Sequence, residues 1–104
     1  MSDVSIEQSG EVFTLQGALS FETLPAVLVE SDKYAARTDL PDRLTIDFSH
    51  ITGVDSSAVA LLLEWRRRAQ LNGKTLTFVN LPANLLALAG LYGVAELIQP
   101  AEPA

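Results

Sequence analysis

The 104 residues contain no cysteine. That absence excludes a disulfide scaffold, a thiolate metal site and a cysteine nucleophile. Histidine is nearly absent too: His50 stands alone, so no histidine pair exists to bind a metal. Long apolar runs are missing. The longest, AVALLL from Ala58 to Leu63, has six residues, against the roughly 20 that a membrane-spanning helix needs. The N-terminal MSDVSIEQSGE is acidic and polar and does not read as a signal peptide. A soluble, cytoplasmic protein is expected, reaching a membrane only through another protein and never by direct insertion. Positive charge is scarce, with 7 Lys and Arg against 13 Asp and Glu and a net charge of −6. A phosphate backbone rewards cationic patches, so nucleic acid is a disfavoured partner. What positive charge there is clusters at Arg66, Arg67 and Arg68, an acidic body with one basic spot that suits a protein partner or a solvated helix face.

The length implies one domain, and 48% hydrophobic residues are enough for a core. No internal repeat or linker is visible. Val4, Ile6 and Gln8 open a first strand, Ser9 and Gly10 turn it, and Val12 to Leu15 return, ending near Gly17. Ser20 is a candidate helix cap. Leu24, Val27, Leu28 and Ser31 then recur at helical spacing, with Pro25 near the first turn. TDLPD, Thr38 to Asp42, reads as a loop. Leu44, Ile46 and Phe48 alternate with Thr45, Asp47 and Ser49 as the clearest strand. A helix over Ser57 to Leu71, a strand over Lys74 to Asn80 and a helix over Pro82 to Leu91 follow, with Gly73 and Gly93 as helix exits. Val94 to Ile98 reads as a short turn or brief strand. The expected architecture is α/β: a small mixed sheet of four or five strands, the first pair a hairpin, with helices packed mainly on one face. One domain is expected over 1–99, with a flexible tail at 100–104.

The stretch TGVDSSAV, Thr52 to Val59, sits where a strand hands over to a helix. Backbone N–H groups at a helix start lack internal partners, and Asp55 or Ser56 would accept from them. Capping accounts for one polar residue there, not for three. Gly53 allows an unusual backbone angle or a close approach. A serine nucleophile would need a base in reach, but His50 lies six residues before Ser56 and no G-x-S-x-G elbow is present. A P-loop pattern is absent and Asp55 would repel a phosphate. Neither a catalytic set, a cofactor cradle nor a metal site emerges. The remaining reading is a protein-docking surface with Ser56 as a candidate phosphorylation site, where a phosphate would add about −1.5 to −2 charge beside Asp55.

LTIDFSHITGVDSSAVALLLEW resembles the central motif of STAS domains, the fold of bacterial anti-sigma-factor antagonists and of the cytoplasmic tails of sulfate transporters. Asp47, Phe48 and Ser49 match the strand end of that pattern; Val54, Asp55, Ser56 and Ser57 match its signature. Where the family usually has glycine this chain has Ala58. NLPANLLALAGLYGVAELI, Asn80 to Ile98, resembles the MlaB type, the small STAS subunits of Mla phospholipid-transport complexes. That resemblance implies a non-catalytic accessory subunit. It would bind and support an MlaF-like ATPase, and through it an MlaE-like permease, in a complex that maintains outer-membrane lipid asymmetry. The alternative it implies is an anti-sigma-factor antagonist, whose kinase-like anti-sigma partner phosphorylates Ser56. Either way the expected contact is formed by Gly53, Asp55, Ser56 and Ser57, with Trp65, Arg66 and Arg67 further along the helix. Tryptophan and arginine are enriched at interface hot spots, although Trp65 also has the spacing of a core residue beside Leu61 and Leu62.

Overall fold

In the computed structural model, residues 4–98 are described. The expected tail at 100–104 and the end of the domain at Gln99 lie outside them. The elements run β1 (Ser5–Ser9), β2 (Val12–Leu19), α1 (Leu24–Ala35), β3 (Arg43–Val54), α2 (Ser56–Leu71), β4 (Thr75–Val79), α3 (Ala83–Leu91) and α4 (Ala95–Ile98). They form one four-stranded sheet in the order β1-β2-β3-β4. The β1–β2 hairpin is antiparallel, while β2–β3 and β3–β4 are parallel and connected through α1 and α2. The fold is therefore the mixed α/β sheet that the alternation of strands and helices implied.

One sheet face carries the core and the helices. Phe13, Leu15, Ile46, Phe48, Leu76 and Phe78 are buried on it, at the every-second-residue spacing of strands. Their neighbours Glu7, Gln16, Arg43, Thr75 and Thr77 are exposed on the other face. Helix α2 lays Ala58, Val59, Leu61, Leu62 and Trp65 into this core, and Phe48 meets Phe78 edge to face at 5.7 Å. Gly73 and Gly93 follow α2 and α3 with φ of 69° and 73°, left-handed values that glycine adopts without a steric penalty.

Several boundaries differ from expectation. Ser20 does not cap α1; the N-cap is Thr23. The Thr23 hydroxyl donates to Ala18 O at 2.7 Å and accepts from Ser20 N at 3.0 Å, tying the turn to the strand before it. Pro25 takes the second helical position, where an N–H has no intrahelical acceptor to lose. Strand β2 passes through Gly17 to Leu19; of the two readings of Val94–Ile98 the short turn holds, as the single helical turn α4. Strand β3 continues six residues beyond Phe48. There its register against β2 shifts twice, between Thr14 and Gln16 and between Gly17 and Ala18. Such bulges break the alternation by which a strand is read from sequence.

Candidate functional site

The C-terminal end of β3 and the N-terminus of α2 meet at Asp55. Its backbone is extended, its N–H donates to Leu19 O at 3.1 Å, and its side chain caps α2. One carboxylate oxygen accepts from Ser57 N at 2.9 Å and from the Ser57 hydroxyl. The other accepts from Phe21 N at 3.1 Å. Asp55 thus joins two segments 34 residues apart, the start of α2 and the β2–α1 turn. These bonds, the Ser57 hydroxyl foremost, hold its carboxyl below the ordinary carboxylate value.

The consecutive polar residues have separate roles. Ser57 is 5% exposed and committed to Asp55. Ser56 is half-buried, and its hydroxyl makes no hydrogen bond among the described residues. Ala58, the residue that stands for the family's usual glycine, is fully buried, so its methyl group fills core rather than altering the corner's surface. Gly53 is half-buried in β3 opposite Ala18. It uses neither freedom that a glycine allows there: its φ is not positive, and a Cβ would meet nothing within 4 Å, so no close approach requires it. The space above this part of the corner is open.

The expected site residues on α2 divide by helical angle. At about 100° per residue, Arg67 returns to the face of Ser56, roughly 16 Å further along, with exposed Ala60 and half-buried Leu63 between them. Arg67 is exposed but ion-paired: Glu64 accepts from its Nε and Nη2 at 2.9 and 2.8 Å. Arg68 bonds the same Glu64 and also Asp32, each at 2.8 Å, so two of the three arginines are neutralised in place. The two guanidinium groups hold the Glu64 carboxyl down at about 2. Arg66 lies on the flank. Its guanidinium covers the Phe78 ring at 4.9 Å and donates to Ile98 O at 3.3 Å, and partial burial lowers its pKa. Trp65 points to the opposite side from Ser56 and is 7% exposed within the core. Tyr92 is 54% exposed at the far end of α3.

Phe21 joins this corner without having been singled out from the sequence. It is 69% exposed, and its own N–H is the group that Asp55 holds. The available signal was an aromatic residue inside the polar SFET stretch, where a helix start needs none. Asp47 forms a second carboxylate anchor on β3, accepting from Asn80 Nδ2 at 3.0 Å and Ser49 N at 2.9 Å. These bonds also hold its carboxyl below the usual range, with Asn80 contributing most. Among the described residues no group of three or more acidic or histidine side chains is placed to hold a metal, and no helix is long and apolar enough to cross a membrane.

A mixed sheet with helices on one face, whose central parallel strand delivers a capped, hydroxyl-bearing helix start to the surface, defines a STAS-type domain. A family model described as "Mlab, STAS domain" matches residues 2–99, and the chain belongs to that family. Among solved structures, the anti-sigma factor antagonist SpoIIAA in its unphosphorylated form superposes with a TM-score of 0.71. It is 14% identical, over 96% of this chain and 89% of that one. The Bacillus cell fate determinant SpoIIAA in the phosphorylated form gives 0.67, also at 14% identity, over 96% and 92%. At that identity the likeness is one of fold. No curated protein matches the sequence.

Proposed function

We propose that this chain is a non-catalytic docking subunit that controls a partner protein through the corner formed by Phe21, Gly53, Asp55 and Ser56. The observation that carries the reading is the division of labour at that corner. Asp55 and Ser57 are spent on building it, while Ser56 is only half-buried and its hydroxyl is uncommitted among the described residues. A residue left open beside a rigid frame is available to a partner or to a modifying enzyme. Phe21 adds a broad apolar contact of the kind that anchors interfaces.

Two partners fit. In the first reading Ser56 is a switch in an anti-sigma-factor antagonist, and a kinase-like anti-sigma factor phosphorylates it. The uncommitted hydroxyl and the fold likeness to both forms of an antagonist support this reading. A phosphate at the first residue of α2 would meet free backbone donors, but it would also add charge next to Asp55 and beneath the partner. In the second reading the chain is the accessory subunit of an Mla-type phospholipid-transport complex and binds its ATPase. The description of the matching family supports that reading. Both partners bind nucleotide, and both readings use the same corner.

One experiment separates them. The purified chain is incubated with ATP and a kinase-like anti-sigma factor, then with an Mla-type ATPase, and intact mass and binding are recorded. A gain of one phosphate that is lost in Ser56→Ala supports the switch. Stable binding to the ATPase with no mass change supports the accessory subunit. Binding to neither by the folded protein refutes the docking reading.

A further inference from the structure

Away from the Ser56 corner, a cavity of about 370 Å³ opens between the helix-bearing face of the sheet and the helices α1 and α2. Its floor and walls are apolar, made by Ile6, Phe13, Leu44, Ile46, Trp65 and Leu76. Protein interiors are close-packed, and voids larger than a water molecule are few. A cavity of this size falls in the range of pockets that hold small molecules, which are mostly apolar with a few placed polar groups. Polar side chains complete the lining. Among them Arg37, Arg68 and Lys74 come from three different segments of the chain.

Two of those cations are already matched. Arg37 is paired with Asp39 at 2.8 Å, and Arg68 with Asp32 and Glu64 at 2.8 Å each. Lys74 differs. Its side chain is only 21% exposed, and two of its three N–H groups are directed to the carbonyls of Leu40 and Pro41, at 3.1 and 3.2 Å. The nearest acid among the described residues, Asp42, stands 3.9 Å away and is 94% exposed. An ammonium on a side chain this buried, lining an apolar cavity and with its third N–H facing only an exposed acid 3.9 Å away, is a seat for one anionic oxygen. We infer that this cavity binds a small apolar monocarboxylate, its body against Trp65 and its carboxylate on Lys74.

The inference stands apart from the docking corner and does not depend on it. Trp65 is the only tryptophan and walls the cavity, so its emission reports occupancy in the full-length chain. Titration with decanoate is expected to give a saturable emission change. Decanol, which has the same chain without the charge, is expected to bind about tenfold more weakly, from the loss of a charge-assisted hydrogen bond. Lys74→Gln should bring decanoate down to the decanol level, and Lys74→Arg should preserve the preference. Ala69→Phe and Ser31→Phe each place a ring into the cavity and should abolish binding of both ligands in whichever variant keeps the wild-type circular dichroism. Nuclear Overhauser contacts from decanoate to the methyl groups of Leu44, Ile46 and Leu76 would locate the ligand in the unsubstituted protein. The absence of a saturable change and of such contacts overturns the inference. Equal affinity for decanoate and decanol, unaffected by Lys74→Gln, overturns the assignment of the carboxylate to Lys74.

Discussion

Replacing Asp55 with alanine tests the corner most directly, because three hydrogen bonds converge on that carboxylate. Loss of an aspartate N-cap costs about 1 kcal/mol, within a range of about 0.5–2. The Ser57 hydroxyl, on a residue only 5% exposed, loses its acceptor, for about 1 kcal/mol more. The Phe21 N–H is exposed and exchanges one partner for water, adding little. The total is about 2 kcal/mol, and for a domain of this size that lowers Tm by roughly 10 °C. Asp55→Asn divides the contribution. Its side-chain oxygen still caps α2 and still accepts from Ser57, but its amide nitrogen faces the Phe21 N–H, donor against donor. The helix should therefore stay capped while the Phe21 turn is released. Urea unfolding followed by Trp65 emission measures the first effect, and amide hydrogen exchange at Phe21 and Ser57 measures the second. Asp55→Ala within about 0.5 kcal/mol of wild type, or Asp55→Asn leaving Phe21 exchange unchanged, would refute this account of the corner.

Other expected outcomes follow from the same geometry. Ser56→Ala should cost less than about 0.5 kcal/mol in urea unfolding, because Asp55 and not Ser56 is the cap. Ser56→Asp should remain folded by circular dichroism yet lose affinity for the partner in calorimetry, since it places a second negative charge beside Asp55. Phe21→Ala should leave stability near wild type, the ring being 69% exposed, and weaken the same complex by more than about 1 kcal/mol. The carboxyls of Asp47, Asp55 and Glu64 are all depressed in the folded protein. Groups shifted in that direction contribute stability above their unfolded values, 3.8 for the aspartates and 4.5 for Glu64, and lose it as pH falls through the lower folded values. Urea midpoints should therefore be steady at neutral pH and fall below about pH 4.5, and Glu64→Gln should flatten that fall.

How well each element could be read from sequence follows from how much of its environment is local. Leu44, Ile46 and Phe48 alternate because one sheet face is buried and the other is not, and that contrast is written directly in the chain. Beyond Phe48 the two register shifts remove the alternation, so the pattern showed the strand only as far as Ser49. The helix-start chemistry of Asp55 was legible because an N-cap is a short-range device. Its bond to Phe21 was not, because 34 residues separate the partners. Trp65 illustrates the same limit. Its core position depends on how far α2 rotates against the sheet, and composition alone gives an interface residue and a core residue the same description. Lys74 carries no signal at all in sequence, since its significance comes from a cavity assembled by segments distant along the chain.

Four consecutive residues at the corner therefore serve four ends. Asp55 fixes the geometry and keeps a negative charge at the surface. Ser56 is left without a hydrogen bond among the described residues, Ser57 is spent holding Asp55, and Ala58 fills the core. A shift of one residue in helix phase would carry Ser56 into the buried place of Ser57 and Ser57 into that of Ala58, since neighbours on a helix lie about 100° apart. The cap is what sets that phase, because the Asp55 carboxylate must reach Ser57 N while its own N–H stays on Leu19 O. Removing the Asp55 side chain should thus impair partner binding by more than its cost in stability accounts for, even at temperatures where the variant is fully folded. A complex of Asp55→Ala with unaltered affinity at 10 °C would show that Ser56 is presented by the sheet alone and that the cap has no part in docking.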